Sequence, residues 1–443
     1  MNKKIAGSVA ASLLLSAPVF AQEVPQNQPP TYNCDFQPSC EVAPGVYGKL
    51  AVPITSKFNL TIGGFVKLDY AYNSVNLGAN GALGTLQQMP KSSSLAGKEE
   101  QSIFTARQSR IWFKVTGPTF LGAKTGAIIE SDFYGGGGNN ESPNLRLRLA
   151  NGSLDWANTQ LVFGQAYDIF GPAVASTIDF GSGNKTGAPN NPRVAQLRMT
   201  QRVDLTEKNA LRLVFGVQNP VQDTNTAAAG GTYGSAVNVA GQAMWISKNL
   251  GVAPGYYGLP MNSFTLGLFG LFGSERIEGN RSADSWGYGL YTFVPLLKSS
   301  DGKSRAMTAS FEGQGYMAAN MAVNGATAGS LVGTVPNQSP AKGFGYYGQV
   351  IFYPTQELGL TAGYGRRAAY DNGSYNGINN YEKFNSNTYF NIAYDLNAAV
   401  RVAAEYQYLN TRYGNVTNGA NGLAGLAENG IANIARFAAY YFF

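Results

Sequence analysis

The chain has 443 residues, a formal net charge of +6, no histidine, and only 13% charged residues, about half the share of a typical soluble domain. Aromatics reach 12%, and 55 residues are glycine. An ordinary soluble domain fits this balance poorly, and the missing histidine removes the commonest general base near neutral pH, so no enzyme is expected.

Met1 to Ala21 reads MNKKIAGSVAASLLLSAPVFA. Lys3 and Lys4 make a basic start, Ile5 to Leu15 is apolar, and Val19, Phe20 and Ala21 precede the expected cut. The stretch reads as a signal peptide over 1–21, too short for a membrane helix. Its removal takes two lysines and lowers the charge to about +4. No apolar run in the remainder is long enough for a spanning helix.

Residues 22–56 form a proline-rich, polar segment without heptads or strand alternation, expected on the periplasmic side. It holds the only two cysteines, Cys34 and Cys40, which are expected to close a disulfide in an oxidising compartment. No third ligand stands near them, so neither a metal nor a redox cofactor is expected.

From 57 to 443 one rhythm repeats: alternating segments of roughly 10 to 15 residues separated by turns, the pattern of a transmembrane antiparallel β-barrel. The segments begin with Phe58–Val75, Ser102–Val115, Leu121–Phe133 and Leu145–Trp156. They end with Asn385–Tyr394, Ala399–Leu409 and Ile431–Phe443, and the total is about 16 strands. Connections alternate long and short: Asn76–Gln101 is long and Thr116–Phe120 short, Phe170–Pro192 long and Thr206–Asn209 short. Outer-membrane barrels alternate in this way, with long loops outside and short turns facing the periplasm. One periplasmic turn, Asn249–Met261, is longer than that rule prefers.

Parity assigns the faces. In the first strand Leu60, Ile62, Val66 and Leu68 point outward, while Lys67 and Asp69 point inward. The same test turns Arg110, Arg146, Arg148, Arg198, Arg202 and Arg212 inward, joined by Arg436 from the last strand. Leu145, Leu147 and Leu149 are expected outside, with a bulge near Gly152 shifting the phase below it. Arg107 falls on the outer face. Arginine suits carboxylate and phosphate, so these side chains are expected to line a cationic pore wall. The long loop Phe170–Pro192 follows Asp168, carries Asp179, and is the available means of narrowing a wide barrel.

The chain ends IANIARFAAYYFF. It resembles the C-terminal strand that the barrel-assembly machinery reads in such proteins, most specifically at Tyr441 and Phe443. The segments SRIWFKVTGP, LRLRLANGSLDWANTQLVFGQAYDIFGP and RVAQLRMTQRVDL resemble the DcaP-like trimeric porin family, over Ser109 to Leu205. That resemblance implies a homotrimer whose third external loop folds into the pore, with Asp179 as the loop acid facing Arg110, Arg148 and Arg198. It also implies uptake of small carboxylates.

The expected function is therefore an outer-membrane porin of a Gram-negative cell. It would pass small hydrophilic solutes by passive diffusion, biased to anions. Its partners would be those solutes, outer-membrane lipid and lipopolysaccharide, with no nucleic acid. The alternative is a barrel that sheathes a partner protein, as an electron-transfer conduit does.

Overall fold

The computed structural model describes residues 58–78, 88–136, 141–178, 187, 189, 192–220, 237–255, 260–277, 281–322, 324–329, 331–333, 337–370, 375, 378–416 and 426–443. The expected signal peptide, the segment 22–56 with Cys34 and Cys40, and Asp179 lie outside the described residues.

The strands are β1 Asn59–Asn73, β2 Gln101–Thr105, β3 Arg110–Thr116, β4 Lys124–Gly135, β5 Asn144–Asp155, β6 Thr159–Tyr167, β7 Arg193–Asp204, β8 Asn209–Gln218, β9 Asn238–Pro254 and β10 Met261–Ile277. They continue as β11 Arg281–Leu297, β12 Thr308–Ala319, β13 Leu331–Val332, β14 Ser339–Pro340, β15 Lys342–Tyr353, β16 Leu358–Ala369, β17 Tyr381–Asp395, β18 Val400–Val416 and β19 Leu426–Phe442. All but the small β13–β14 pair belong to one 17-membered antiparallel sheet, which closes where β1 pairs with β19. Both β2 and β3 pair with β1, as two pieces of one strand, so the barrel has 16 strands. Closure leaves no unpaired edge, the condition for a sheet in lipid.

The outer face carries the apolar half of each alternation. Val66, Leu68, Leu197, Met199, Phe215, Leu268, Phe437 and Tyr441 are all exposed. In water this would be unfavourable; against hydrocarbon it is the stable arrangement.

Four local expectations are corrected. Ser102–Val115 is not continuous: residues 106–109 interrupt it as a turn, in which the Ser109 amide donates to the Ala106 carbonyl at 3.0 Å. Arg107 lies in that interruption and is buried, stacked 4.7 Å over Tyr134, so it is not on the outer face. The bulge in β5 sits at Arg148, not Gly152, since Glu130 pairs with Leu149 and Ser131 with Leu147. A bulge opposes two residues to one, so Arg148 and Leu149 both turn inward, and Leu149 is buried. The turn expected over Asn249–Met261 shortens to 255–260, because β9 and β10 run on to Pro254 and from Met261.

The interior is less wet than alternation alone predicts. Inward side chains of β8 to β17, among them Val214, Met244, Phe269, Phe293, Tyr316 and Tyr347, form an apolar cluster with Ile169, Phe170, Ala173 and Ala175 of the loop after β6. Two glycines make room for it. A Cβ at Gly216 would stand 2.5 Å from Ile169 Cδ1, and one at Gly287 would stand 2.6 Å from the Phe170 ring.

Candidate functional site: the barrel interior

Six of the predicted inward arginines lie on β3 to β8 and the seventh, Arg436, is buried on β19; the structure divides the six. Arg110, Arg148 and Arg198 are buried, at 4%, 3% and 3% exposure. Arg146, Arg202 and Arg212 are half-buried. The bulge explains how Arg148 is aimed. Its Nε donates to Glu130 at 2.6 Å, Nη1 to Asp132 at 2.7 Å, and Nη2 to the Tyr167 hydroxyl at 2.8 Å. Asp132 also takes a two-pronged contact from Arg146, through Nε at 2.9 Å and Nη2 at 2.5 Å. Arg110 stands 3.7 Å from Glu130 and 5.6 Å over the Phe65 ring. Arg202 pairs with Asp204 at 2.8 Å.

Arg198 differs from these. It sits opposite Val162 on one side and Gly216 on the other, and among the described residues no carboxylate meets it. Among the described residues the wall from β3 to β8 thus holds more guanidinium than carboxylate, with Arg198 at its centre. Toward the short-turn end of the same wall, Lys114, Asn151, Ser153, Gln160 and Arg212 keep partial exposure.

The loop after β6 enters the barrel, as expected. Asp168 is not a free pore acid. It is fully buried, and its carboxylate accepts from Gln218 Nε2 at 2.6 Å, from the Phe170 amide at 3.1 Å and from Asn324 Nδ2. Asn324 belongs to the connection between β12 and β15, so Asp168 ties two interior segments together.

From Ile169 to Ile178 the loop runs along the inside of the wall. Side chains on successive strands bond its backbone. Gln242 of β9 donates to Ile169 O at 2.6 Å, and Gln314 of β12 to Ala173 O at 3.1 Å. Ser176 N donates to Gln349 of β15 at 2.8 Å, and Asn391 of β17 donates to Ser176 O at 2.6 Å. Ile178 ends the run: its N–H donates to Glu405 of β18 at 2.7 Å, and its carbonyl accepts from Lys67 of β1 at 2.7 Å. Buried backbone groups need partners, and here side chains supply what a neighbouring strand would.

Parity places Lys67, Gln349 and Glu405 inside, but nothing local in the sequence marks them as loop anchors. Further ion pairs among the described residues join Lys67 with Asp69, Arg367 with Glu382, and both Arg401 and Arg305 with Asp395, all away from β3 to β8. Among the described residues no three acidic, His or Cys side chains converge on a metal position.

No family model matches the chain, and no curated protein does. Solved structures do match in fold. The outer membrane channel DcaP of Acinetobacter baumannii superposes with a TM-score of 0.63 at 17% identity, covering 91% of this chain and 100% of that one. The anion-selective porin from Comamonas acidovorans gives 0.55 at 12% identity, over 87% and 100%. The trimer form of OmpT, an outer membrane protein of Vibrio cholerae, gives 0.52 at 11% identity, over 88% and 100%. The chain, a 16-strand barrel, therefore shares the fold of these outer-membrane proteins.

Proposed function

We propose that this protein is an outer-membrane porin, assembled as a homotrimer, through which small hydrophilic solutes diffuse passively with a bias to anions such as small carboxylates. The observation that carries the bias is the guanidinium of Arg198, which no carboxylate meets among the described residues, on a wall where Arg110, Arg146 and Arg148 gather round Glu130 and Asp132. The fold supports the channel. The anion selectivity named for the Comamonas porin and the trimer form of the Vibrio protein support the rest by analogy of architecture.

The physics is field strength in a narrow bore. Low-dielectric walls strengthen the potential of fixed charges over its value in open water, so anions are enriched near the wall. A carboxylate can be held by paired guanidinium N–H donors. Flux requires weak binding, in the millimolar range, on the order of 4 kcal/mol. The apolar cluster inside the barrel takes up volume that a sheathed partner protein would need, which disfavours the conduit reading.

Reversal potential in a salt gradient tests the proposal. Wild-type channels should favour anions at low salt, and the preference should fade near 1 M, where the screening length is roughly 3 Å. Replacing Arg110, Arg148 and Arg198 together by Gln should lower the anion-to-cation permeability ratio. A cation-selective wild type would refute the anion bias.

A further inference from the structure

Three cations stand on the outer face of β16, β17 and β18, near the long connections that follow β16 and β18. Arg366 shares its face with the exposed Tyr364, and Arg412 shares its face with the exposed Tyr406 and Tyr408. The β17 register shifts between Glu382 and Phe384, so Lys383 is the extra residue of a bulge, and it is exposed.

The sheet register gathers the three. Phe384 lies opposite Ala368 of β16 on one side and Arg412 of β18 on the other. The Arg366 guanidinium extends over the Phe384 ring, 4.0 Å from its centroid, and so reaches the level of Arg412. Ser386 lies opposite both Arg366 and Asn410, which gives the patch a polar floor.

Nearby carboxylates are engaged elsewhere. Glu382 is buried and paired with Arg367 on the inner face. Glu428 lies opposite the buried Tyr413 and accepts from the Ser93 amide at 2.8 Å. Among the described residues no carboxylate meets Arg366, Lys383 or Arg412. Arg366 Nε is buried without a hydrogen-bond partner among them, and Arg412 donates to the neutral Asn429 side chain at 3.0 Å.

We propose that this patch binds the lipid A phosphates of lipopolysaccharide in the outer leaflet, with Arg366, Lys383 and Arg412 as the phosphate ligands. The inference rests on the outer-membrane location and on the long connections facing outward, not on the pore or its selectivity. Toward mid-barrel from the cations, the same faces carry exposed Tyr364, Tyr408, Phe390 and Tyr406. Such aromatics mark the boundary between hydrocarbon and headgroups, so the cations sit at headgroup level, where long basic side chains settle. Clustered basic side chains at that level bind anionic headgroups, and guanidinium forks match phosphate oxygens. The aromatic row favours a lipid over a soluble anion, because it lies where acyl chains would run.

The test is titration of the purified protein in detergent with bisphosphorylated lipid A, read by native mass spectrometry. The dephosphorylated lipid should bind far more weakly, and the wild-type affinity should fall with added salt. Arg366→Gln, Lys383→Gln and Arg412→Gln should each weaken binding roughly fivefold, and the triple variant on the order of 100-fold. Only heat-modifiable barrel is scored, and the contrast between the two lipids in wild type needs no substitution. Single-channel conductance of the triple variant should match wild type, since none of the three faces the pore. Equal binding of the two lipids, or an unchanged affinity in the triple variant, would overturn the site. Displacement of the lipid by millimolar inorganic phosphate would reassign it to a soluble anion and overturn the proposal equally. Absence of any conductance alongside phosphate-dependent lipid binding would refute the porin reading and leave the lipid site standing.

Discussion

The Ile178 amide donates to the Glu405 carboxylate at 2.7 Å, joining the end of an interior loop segment to a strand 227 residues further along the chain. The segment leaves the wall at β6 and is still bonded to the wall when it reaches β18 and β1. It is therefore part of the barrel's inner surface. Its contacts with the wall begin at β8, where Ile169 packs on Gly216, and run on to β1.

On the covered side, Arg367 and Glu382 form a two-pronged pair, with Nε to Oε1 at 2.9 Å and Nη2 to Oε2 at 2.6 Å, and neither side chain exceeds 2% exposure. Arg367 also donates to the Gly325 carbonyl at 2.8 Å. Replacing Glu382 by Leu alone strands a buried cation, and should cost about 3 to 5 kcal/mol. The double replacement Arg367→Met with Glu382→Leu should recover a large part of that loss, because two desolvated charges disappear together. Unfolding in urea from lipid vesicles measures both. A double variant as unstable as the single one would mean that the Gly325 contact, not the ion pair, is what holds this region.

The strands are legible in the sequence because the lipid face imposes apolar alternation on each segment by itself. The inward arginines follow from the same parity. Three features are not legible, each for a physical reason. Along Leu145 to Leu154 a phase change is visible, but a bulge anywhere between Leu147 and Leu154 would produce it, so its place at Arg148 depends on pairing with β4. In β10 the run GLFGLFG is apolar on both faces, so alternation cannot reveal that Phe269 and Leu271 pack inward against the loop. The loop segment itself has no period, and its course is set by side chains on β9, β12, β15, β17, β18 and β1 that no local pattern connects.

Asp168, in the loop beyond β6, has its carboxyl pushed up to about 6 by burial, against the hydrogen bonds from Gln218, the Phe170 amide and Asn324. An acid whose value is raised in the folded state binds its proton more tightly there than in the unfolded chain. Stability should therefore fall as pH rises from the ordinary 3.8 through about 6, and be regained on acidification. The full span is on the order of 2 to 3 kcal/mol. Asp168→Asn, which is neutral throughout, should flatten this dependence. Heat-modification midpoints between pH 4 and pH 7 provide the measurement; an equally steep profile in Asp168→Asn would assign the effect to another group.

Cys34 and Cys40 are expected to be joined in exported protein. Mass spectrometry of the unreduced chain should show the mass of a closed pair, and alkylation before reduction should find no thiol. Their replacement by Ser should leave the heat resistance of the barrel unchanged in detergent, since the sheet's hydrogen bonds close without them. Two free thiols would contradict the pairing.

The last residue seals the sheet. Phe443 N donates to Gly64 O at 3.1 Å and Gly64 N donates to Phe443 O at 3.0 Å, the terminal rung of the β1–β19 seam. The register then runs on without a break from Phe65 opposite Phe442 to Asn73 opposite Ile434. Deleting Phe443 would leave both backbone groups of Gly64 without this partner at the membrane boundary, and each unmade buried bond costs about 1 to 3 kcal/mol. The deletion would also remove the aromatic that ends the chain's lipid-facing row, Phe437, Ala439, Tyr441 and Phe443, all exposed on the outer face. The expected outcome is a sharp drop in folded, heat-modifiable barrel in the membrane fraction, with unfolded chain degraded. Replacement by Tyr should be tolerated, because it keeps both the backbone rung and the aromatic ring. Replacement by Ala keeps the rung alone and separates the two contributions. If yield falls as far with Phe443→Ala as with the deletion, recognition of the aromatic dominates; if only the deletion fails, closure of the seam does. Normal yield of the truncated chain would show that neither is needed.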